Sequence, residues 1–305
     1  MSFKVISSGV LSLIQDGGRF GYQHIGITSG GPMDEYAAYW ANHLIGNPVH
    51  TSALEITFGM LKLEVTEATT IALTGADLGA TIDGEPLAPW RTHQLNAGSV
   101  LAFATPKSGF RSYLAVPGGF TVPQRLGSSA SVVREGIGGL NGEGGKLEKG
   151  DVLPFTPAKR RDTEVAYWAI PDYHKPLELH MVPGYQFEMF SRVEHGKFFS
   201  SSYEITNHID RMGYRLSGTA VKSSRTGIVS EGIAYGAIQV PSDGQPIILL
   251  KDRQTIGGYP KLGCITSLAA GQLAQRGPGA KVGFVPVSLE QAEAERLIFE
   301  KHFAR

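Results

Sequence analysis

Short apolar runs, separated by turn-forming residues, recur along the whole chain. Each run is bounded by Gly, Pro or Asp, and this pattern predicts short β-strands. The 39 glycines and 17 prolines are spread among the runs, where they supply the turns. Many short strands with frequent turns are typical of β-barrels and β-sandwiches. The clearest runs are residues 71–74, 100–103, 113–116, 238–240, 247–250 and 282–285.

Two stretches show helical periodicity. In residues 33–45 the apolar side chains recur at spacings of three and four, and Gly46 ends the pattern. In residues 288–303 Ser288 is placed to cap a helix, and cationic residues lie near the carboxyl end, where the helix dipole favours them. The sequence therefore predicts an all-β fold with a few helices.

A weak internal similarity indicates that the chain has two related halves. Residues 19–26 and 211–218 share Arg, Gly, Tyr and Gly at the same offsets, and an aspartate, Asp16 or Asp210, precedes each copy. Charge rises and apolar periodicity lapses at residues 157–162, which we interpret as a linker. We predict one β-barrel in each half. The predicted domains are residues 1–160, with the helix near 33–45, and residues 161–305, with the C-terminal helix.

Composition and charge restrict the possible functions. With 28 basic and 28 acidic residues the net charge is zero, which argues against nucleic acid as a partner. The single cysteine, Cys264, excludes a disulfide framework and is expected to be a small core residue. The nine histidines show no metalloprotease spacing, so we expect no tightly bound protein metal. Because the sequence shows no secretory signal and no apolar run of about 18 residues, we expect a cytoplasmic protein that does not enter membranes.

A dense group of polar side chains follows the apolar run at 247–250. Six hydrogen-bonding side chains and a Gly-Gly pair, Gly257 and Gly258, occur directly after this predicted strand. Polar groups on a loop that a rigid element supports are typical of functional sites. The alternative is a polar turn in which Asp252 and Arg253 form a surface ion pair. The six residues are Asp252, Arg253, Gln254, Thr255, Tyr259 and Lys261.

A series of motifs, taken together in order, resembles one known family. The family is called allophanate hydrolase subunit 2, or KipA-like, and it includes subunits of an ATP-dependent 5-oxoprolinase. The resemblance covers nearly the whole chain. The motifs are residues 15–22, 31–34, 41–48, 53–57, 73–77, 111–119, 210–216, 230–232, 239–246 and 247–261.

The resemblance implies a fold, a reaction and partners. It implies two cyclophilin-like β-barrel domains, similar to the second half of the carboxyltransferase domain in biotin-dependent urea carboxylase. It implies a heteromeric complex with a KipI-like subunit and a LamB-like subunit that opens 5-oxoproline to glutamate. ATP with Mg²⁺ would act in that complex, and the resemblance leaves open which subunit holds them.

The chemistry of lactam opening nominates candidate residues within these motifs. Making a lactam oxygen a leaving group calls for cations that hold phosphate and offset developing charge. Carboxylates can position a metal-nucleotide or accept a proton. Amide and hydroxyl groups can donate a hydrogen bond to the lactam oxygen and accept one from the lactam nitrogen. The catalytic candidates are Arg253, Lys261, Asp210, Glu231 and Asp252. The substrate-binding candidates are Arg211, Tyr214, Gln254, Thr255, Tyr259, Asp16, Arg19, Asp34 and Asp77.

Structural roles are the alternatives for several of these residues. Asp16 and Arg19 can form a turn ion pair, Asp34 suits the first turn of a helix, and Asp77 suits an Asx turn.

Two other functional classes stay open at this point. One is a carboxyltransferase subunit that accepts carboxybiotin from another chain, since this chain lacks the Met-Lys dipeptide to which biotin is attached. The other is a KipA-type regulatory module that antagonises an inhibitor of a sporulation kinase.

Overall fold

The computed structural model describes residues 1–304, which form two compact units. Unit 1 consists of Met1–Arg19 and Gly30–His174, and unit 2 consists of Phe20–Ser29 and the chain from Lys175 onward. Strands account for 35% of the residues and helices for 18%, so the predicted β-rich fold with a few helices is confirmed. The sequence-based boundary between residues 160 and 161 stays a prediction.

Unit 1 contains two antiparallel sheets. The six-stranded sheet has the order β11-β1-β4-β9-β6-β7, and the five-stranded sheet has the order β2-β3-β10-β5-β8. The strands are β1 Ser2–Ser8, β2 Leu11–Gln15, β3 Ala53–Thr57, β4 Leu61–Val65, β5 Thr69–Asp77, β6 Thr81–Ile82, β7 Glu85–Pro86, β8 Arg91–Leu95, β9 Val100–Ala102, β10 Ser108–Ala115 and β11 Val152–Pro154.

The core of unit 1 follows from strand alternation. On β4 the burial alternates, so Leu61, Leu63 and Val65 point into the core. On β5 eight of nine residues are buried, because both faces of this strand are covered. The predicted helix at 33–45 is confirmed as α1, Glu35–Leu44. Short 3₁₀ turns occur at Val133–Glu135 and Tyr167–Ala169.

A buried polar group ties the start of α1 to the five-stranded sheet. The hydroxyl of Tyr113 donates to Glu55 Oε2 over 2.8 Å and accepts the backbone N–H of Asp34 over 2.8 Å. Glu55 Oε2 also accepts the N–H of Met33 over 2.8 Å. Burial raises the pKa of Tyr113 well above its ordinary value, so the phenol stays protonated and keeps donating.

Unit 2 is built on a closed seven-stranded barrel. Its order is β12-β19-β16-β17-β14-β13-β20, and the parallel pairing of β12 with β20 closes it. A separate two-stranded ribbon pairs β15 with β18. The strands are β12 Leu177–Pro183, β13 Tyr203–Ile209, β14 Gly213–Ser217, β15 Glu231–Gly232, β16 Ala237–Gln239, β17 Ile247–Leu249, β18 Ile256–Gly257, β19 Lys261–Ile265 and β20 Lys281–Pro286.

Three helices and two 3₁₀ turns, Gln23–Ile25 and Phe187–Met189, complete unit 2. The helices are α2 Arg192–Ser200, α3 Ser267–Ala274 and α4 Leu289–Phe303. The last of these confirms the predicted C-terminal helix, and Ser288 caps it by accepting the N–H of Gln291 over 3.1 Å. Among residues 1–304, none of the helices has the length and hydropathy needed to cross a membrane.

Replacing Tyr113 by Phe tests the polar anchor of α1. The change leaves a buried carboxylate oxygen and a backbone N–H without the hydroxyl, which costs about 1–3 kcal/mol of unfolding free energy. Denaturant unfolding of Tyr113→Phe and wild type measures this loss. Tyr167→Phe is the matched control, because Tyr167 is 87% exposed. Equal destabilisation by both substitutions would contradict the anchor.

Candidate functional site

A pocket of about 300 Å³ opens on unit 2 beside the barrel. Its wall combines one carboxylate, one ammonium group, one phenol and one amide with several small residues. A few convergent polar groups in an otherwise apolar cleft are the usual composition of a small-molecule site. The lining residues are Gly184, Tyr185, Gln186, Glu231, Gly232, Ala234, Ala237, Lys261, Gly263 and Cys264.

Three elements bring the polar groups together. Glu231 lies on β15 opposite Gly257 of β18, and Lys261 is the first residue of β19. Tyr185 and Gln186 lie in the turn that follows β12, which pairs with β19. Strands β12 and β19 approach closely at Gly263, where a Cβ would clash with the carbonyl oxygen of Val182.

The Glu231 carboxylate is the centre of the cluster. The Lys261 ammonium donates to its Oε1, and the Tyr185 hydroxyl donates to its Oε2. The Gln186 amide donates to Glu231 Oε1 over 2.7 Å and to the Tyr185 oxygen over 2.8 Å. Gln186 Oε1 in turn accepts the backbone N–H of Lys261 over 2.9 Å, so one buried amide holds all three partners.

The hydrogen bonds set the protonation states of the cluster. Donation from Lys261, and then from Tyr185, lowers the pKa of Glu231 below its ordinary value. The bond to Glu231 raises the pKa of Tyr185. At neutral pH the pocket therefore presents a carboxylate and a protonated phenol. The phenol stands at the mouth, since Tyr185 is 76% exposed.

Cys264 also borders this pocket. It is half-buried and packs beside the small apolar cluster of Ile233, Ala237 and Leu249. The expectation of a small core residue is therefore correct for its packing but missed its place at the pocket. Burial raises the pKa of the Cys264 thiol.

The structure gives Arg211, Asp252 and Arg253 extensive internal bonding. Arg211 donates to Asp252 through Nε over 2.8 Å and Nη2 over 3.0 Å, and both residues are buried. Arg253 donates to the carbonyl oxygens of Ile233 over 3.0 Å and Leu250 over 3.3 Å. Burial lowers the pKa of Arg253. The alternative of a surface ion pair between Asp252 and Arg253 is wrong, because both side chains are buried and Asp252 bonds to Arg211.

The other C-terminal candidates are dispersed. Asp210 accepts the N–H groups of Met212 over 2.7 Å and Gly213 over 3.0 Å, which shapes a turn. The ring of Tyr214 is fully buried, which places it in packing rather than over a ligand. Gln254 and Thr255 are half-buried, and Tyr259 is 45% exposed. None of these five borders the pocket described above.

The N-terminal candidates belong to unit 1, where they organise loops. Asp16 accepts from Ser128 Oγ over 2.5 Å and from the N–H of Ser129 over 2.6 Å. Arg19 donates to the carbonyl oxygen of Ala130 over 2.6 Å. Asp16 and Arg19 therefore both bind the loop segment 128–130.

The two remaining aspartates of unit 1 fill the local roles that their positions favour. Asp34 caps α1 by accepting the N–H of Ala37 over 3.1 Å. Asp77 accepts the N–H of Gly79 over 2.8 Å, which is the expected Asx turn.

Of the sequence candidates, Glu231 and Lys261 are thus brought together in a pocket. Sequence reasoning missed Tyr185 and Gln186. The available signal was a phenol and an amide directly after the Pro183-Gly184 end of an apolar run.

The charge of the pocket does not meet the needs of ATP and Mg²⁺. Glu231 balances the charge of Lys261, whereas a triphosphate requires an excess of cations. Within residues 1–304, no group of three or more His, Cys, Asp or Glu side chains is arranged to hold a metal ion. These residues do not fit a metal-nucleotide, and no nucleotide step is assigned to this pocket.

Comparison with known proteins places the chain in a family. Residues 25–286 match the family "Carboxyltransferase domain, subdomain A and B". The chain is 38% identical to a 5-oxoprolinase subunit of Escherichia coli over 98% of this chain and 96% of that protein. It is 35% identical to the corresponding 5-oxoprolinase subunit of Haemophilus influenzae over 92% and 89%.

A solved structure agrees with this placement. The urea carboxylase of Kluyveromyces lactis superposes with a TM-score of 0.92 at 26% identity. The match covers 99% of this chain and 29% of that chain, so it concerns one part of a much longer enzyme. The relationship that the sequence motifs predicted is confirmed: the chain belongs to the family of carboxyltransferase domains, subdomain A and B.

Proposed function

We propose that this chain is a subunit of an ATP-dependent 5-oxoprolinase that opens 5-oxoproline to glutamate. Its partners in this proposal are a KipI-like and a LamB-like subunit. The observation that carries the proposal is the 38% identity to a bacterial 5-oxoprolinase subunit over nearly the full length of both chains.

The pocket on unit 2 supports the proposal by its size and chemistry. A volume of about 300 Å³ suits a small ring and lies at the low end for ligand sites. Lys261 can pair with the substrate carboxylate, and Glu231 can accept the N–H of a lactam ring. The exposed Tyr185 ring stands where it can cover a bound ring.

The chain's own residues bind and orient substrate in this scheme. ATP, when bound by the complex, supplies the phosphoryl group that makes the ring oxygen a leaving group. Gln186 forms hydrogen bonds to Glu231, Tyr185 and Lys261 and so fixes their relative positions. The substrate therefore binds to a preformed set of partners. Because the pocket itself lacks surplus cations, the proposal places nucleotide binding outside it.

Carboxyl transfer is the second candidate function. The superposition on urea carboxylase favours it, since the same fold there belongs to a carboxylase. In that case carboxybiotin would arrive on a partner chain, and the pocket would hold the small acceptor. The KipA-type regulatory role stays a prediction.

An omission experiment distinguishes the two candidates. Glutamate release from 5-oxoproline and ATP is measured with all three subunits and with each one left out. We expect release from the full mixture and loss to background without this chain, because a composite enzyme needs every part. No release from three folded subunits would contradict the oxoprolinase proposal and favour carboxyl transfer, which carboxybiotin-dependent labelling then measures.

Lys261→Met tests the pocket. The substitution keeps the aliphatic stem and removes the charge, so kcat/KM for 5-oxoproline should fall by about 100-fold. The unfolding midpoint should change little, because the Glu231 side chain that loses its partner is 32% exposed and can be hydrated. The control is Lys281→Met, an exposed lysine on β20. Wild-type kcat/KM in Lys261→Met would exclude the pocket from the reaction.

Arg253→Met separates structural from functional roles in the polar loop. Its loss removes the guanidinium donor of the Ile233 carbonyl, whereas the Leu250 carbonyl keeps the backbone N–H of Arg253 over 3.3 Å. We therefore expect a destabilisation of about 1–3 kcal/mol by denaturant unfolding. An Arg253→Met protein as stable as wild type, with little activity, would instead give Arg253 a direct role at the site.

A further inference from the structure

The side-chain amide of Gln239, close to the pocket, is a buried hydrogen-bond donor without an acceptor among the described residues. Gln239 is 2% exposed, and among the described residues its side-chain nitrogen Nε2 finds no hydrogen-bond acceptor. Buried amide groups are nearly always paired, because an unpaired donor loses its hydration without compensation. Such a group in a native protein requires an explanation, such as a bound ligand group, an ordered water or an ion.

The position of Gln239 connects this donor with the pocket. Side chains two residues apart on a strand point to the same face, and Ala237 of β16 lines the pocket. Gln239 lies two residues farther along β16, where the register of the pairing with β19 shifts between Ile238 and Gln239. Across the ladder it lies opposite Lys261 of β19.

The two-stranded ribbon covers the amide from the other side. A Cβ built on Gly257 would lie 2.9 Å from Gln239 Nε2, so the glycine lets β18 lie directly against the amide. Gly257 is the partner of Glu231 in the ribbon. The unpaired donor thus lies next to β19, which carries Lys261, and against β18, which pairs with the strand of Glu231.

The ribbon is small enough to yield to a ligand. Only two residues of each strand pair in it, and its Ile256 side chain is exposed. Such short, solvent-exposed pairings lie at the low end of local stability. Because β18 lies directly against the amide, a ligand in the pocket reaches Gln239 Nε2 only when β18 moves outward.

We propose that Gln239 is a specificity-determining residue of the pocket, which donates its side-chain N–H to the ring carbonyl oxygen of a bound five-membered cyclic amide. This inference rests on the proposed function. It assigns the carbonyl to Gln239, the ring N–H to Glu231 and the carboxylate to Lys261. A site that must satisfy a buried donor discriminates strongly against an analogue without the matching acceptor.

Proline tests this assignment because it has the ring and carboxylate of 5-oxoproline but no ring carbonyl. Its ring nitrogen also differs, since it is a protonated amine in place of the lactam N–H, so the test compares wild type with a variant rather than the two ligands alone. Cys264, the single cysteine of the chain, serves as a reporter at the pocket. Its alkylation by iodoacetamide is followed by peptide mass spectrometry in the assembled complex, with increasing 5-oxoproline or proline. The reaction is run at mildly alkaline pH, because burial raises the pKa of the Cys264 thiol and only the thiolate is alkylated.

We expect wild type to be protected by 5-oxoproline at concentrations at least about 10-fold lower than by proline. In Gln239→Leu the ratio of the proline concentration to the 5-oxoproline concentration that protects should fall by about 5-fold or more, because only the contact with the ring carbonyl is lost. Thermal unfolding supplies the second readout: because the substitution removes an unpaired buried donor, the melting temperature should stay equal or rise. Gln272→Leu, at an exposed position of α3, is the matched control and should keep the wild-type ratio.

An unchanged ratio in Gln239→Leu, with 5-oxoproline protecting wild type, would overturn the role of Gln239 and leave the proposed function standing. If 5-oxoproline does not protect wild type, the pocket assignment and this inference both fail. A lowered melting temperature with an unchanged ratio would show a purely structural amide. If Gln239→Leu does not fold, Gln239→Met, which is closer in shape to Gln, replaces it. The ratio of the protecting concentrations of proline and 5-oxoproline is then the test of the proposal.

Discussion

The site on unit 2 depends on the close pairing of β12 with β19. Where the two strands meet, Gly263 lies so near the Val182 carbonyl that a side chain cannot be accommodated. The pairing brings the turn after β12, with Tyr185 and Gln186, next to the start of β19, with Lys261. Closure of the barrel through β12 and β20 then holds these elements rigidly. Without this approach the phenol, the amide and the ammonium group would have no common partner.

Charged groups in unit 2 are divided between support and recognition. Arg211 and Asp252 form a buried, doubly hydrogen-bonded pair, and Arg253 bonds to two backbone carbonyls. Removing one partner of such a buried pair leaves an uncompensated charge, which is why support of this kind is sensitive to substitution. Glu231 and Lys261 are less enclosed, and their bond can be exchanged for bonds to a ligand. The same residue types therefore serve different purposes according to burial.

The pocket chemistry is compatible with the family relationship and with lactam opening. A carboxylate, an ammonium group and amide donors can together hold a small molecule that has an amide and a carboxylate. Carboxyl transfer to a urea-like acceptor needs similar recognition of an N–C=O group. The two reactions differ in the activating group that a partner would deliver, so the partners rather than the pocket decide between them.

The sequence by itself determined the β-rich class, both long helices and the family, because short apolar runs, helical periodicity and ordered motifs are local signals. It also singled out Glu231 and Lys261. It did not reveal that Asp16 and Arg19 organise a loop of unit 1, or that Arg211 and Asp252 bond to each other, since motif membership does not report burial. Tyr185, Gln186 and Gln239 were outside the candidate set for a related reason. Their roles arise from pairing between strands far apart in the chain, and only the tertiary structure decides which side chains those pairings bring into contact.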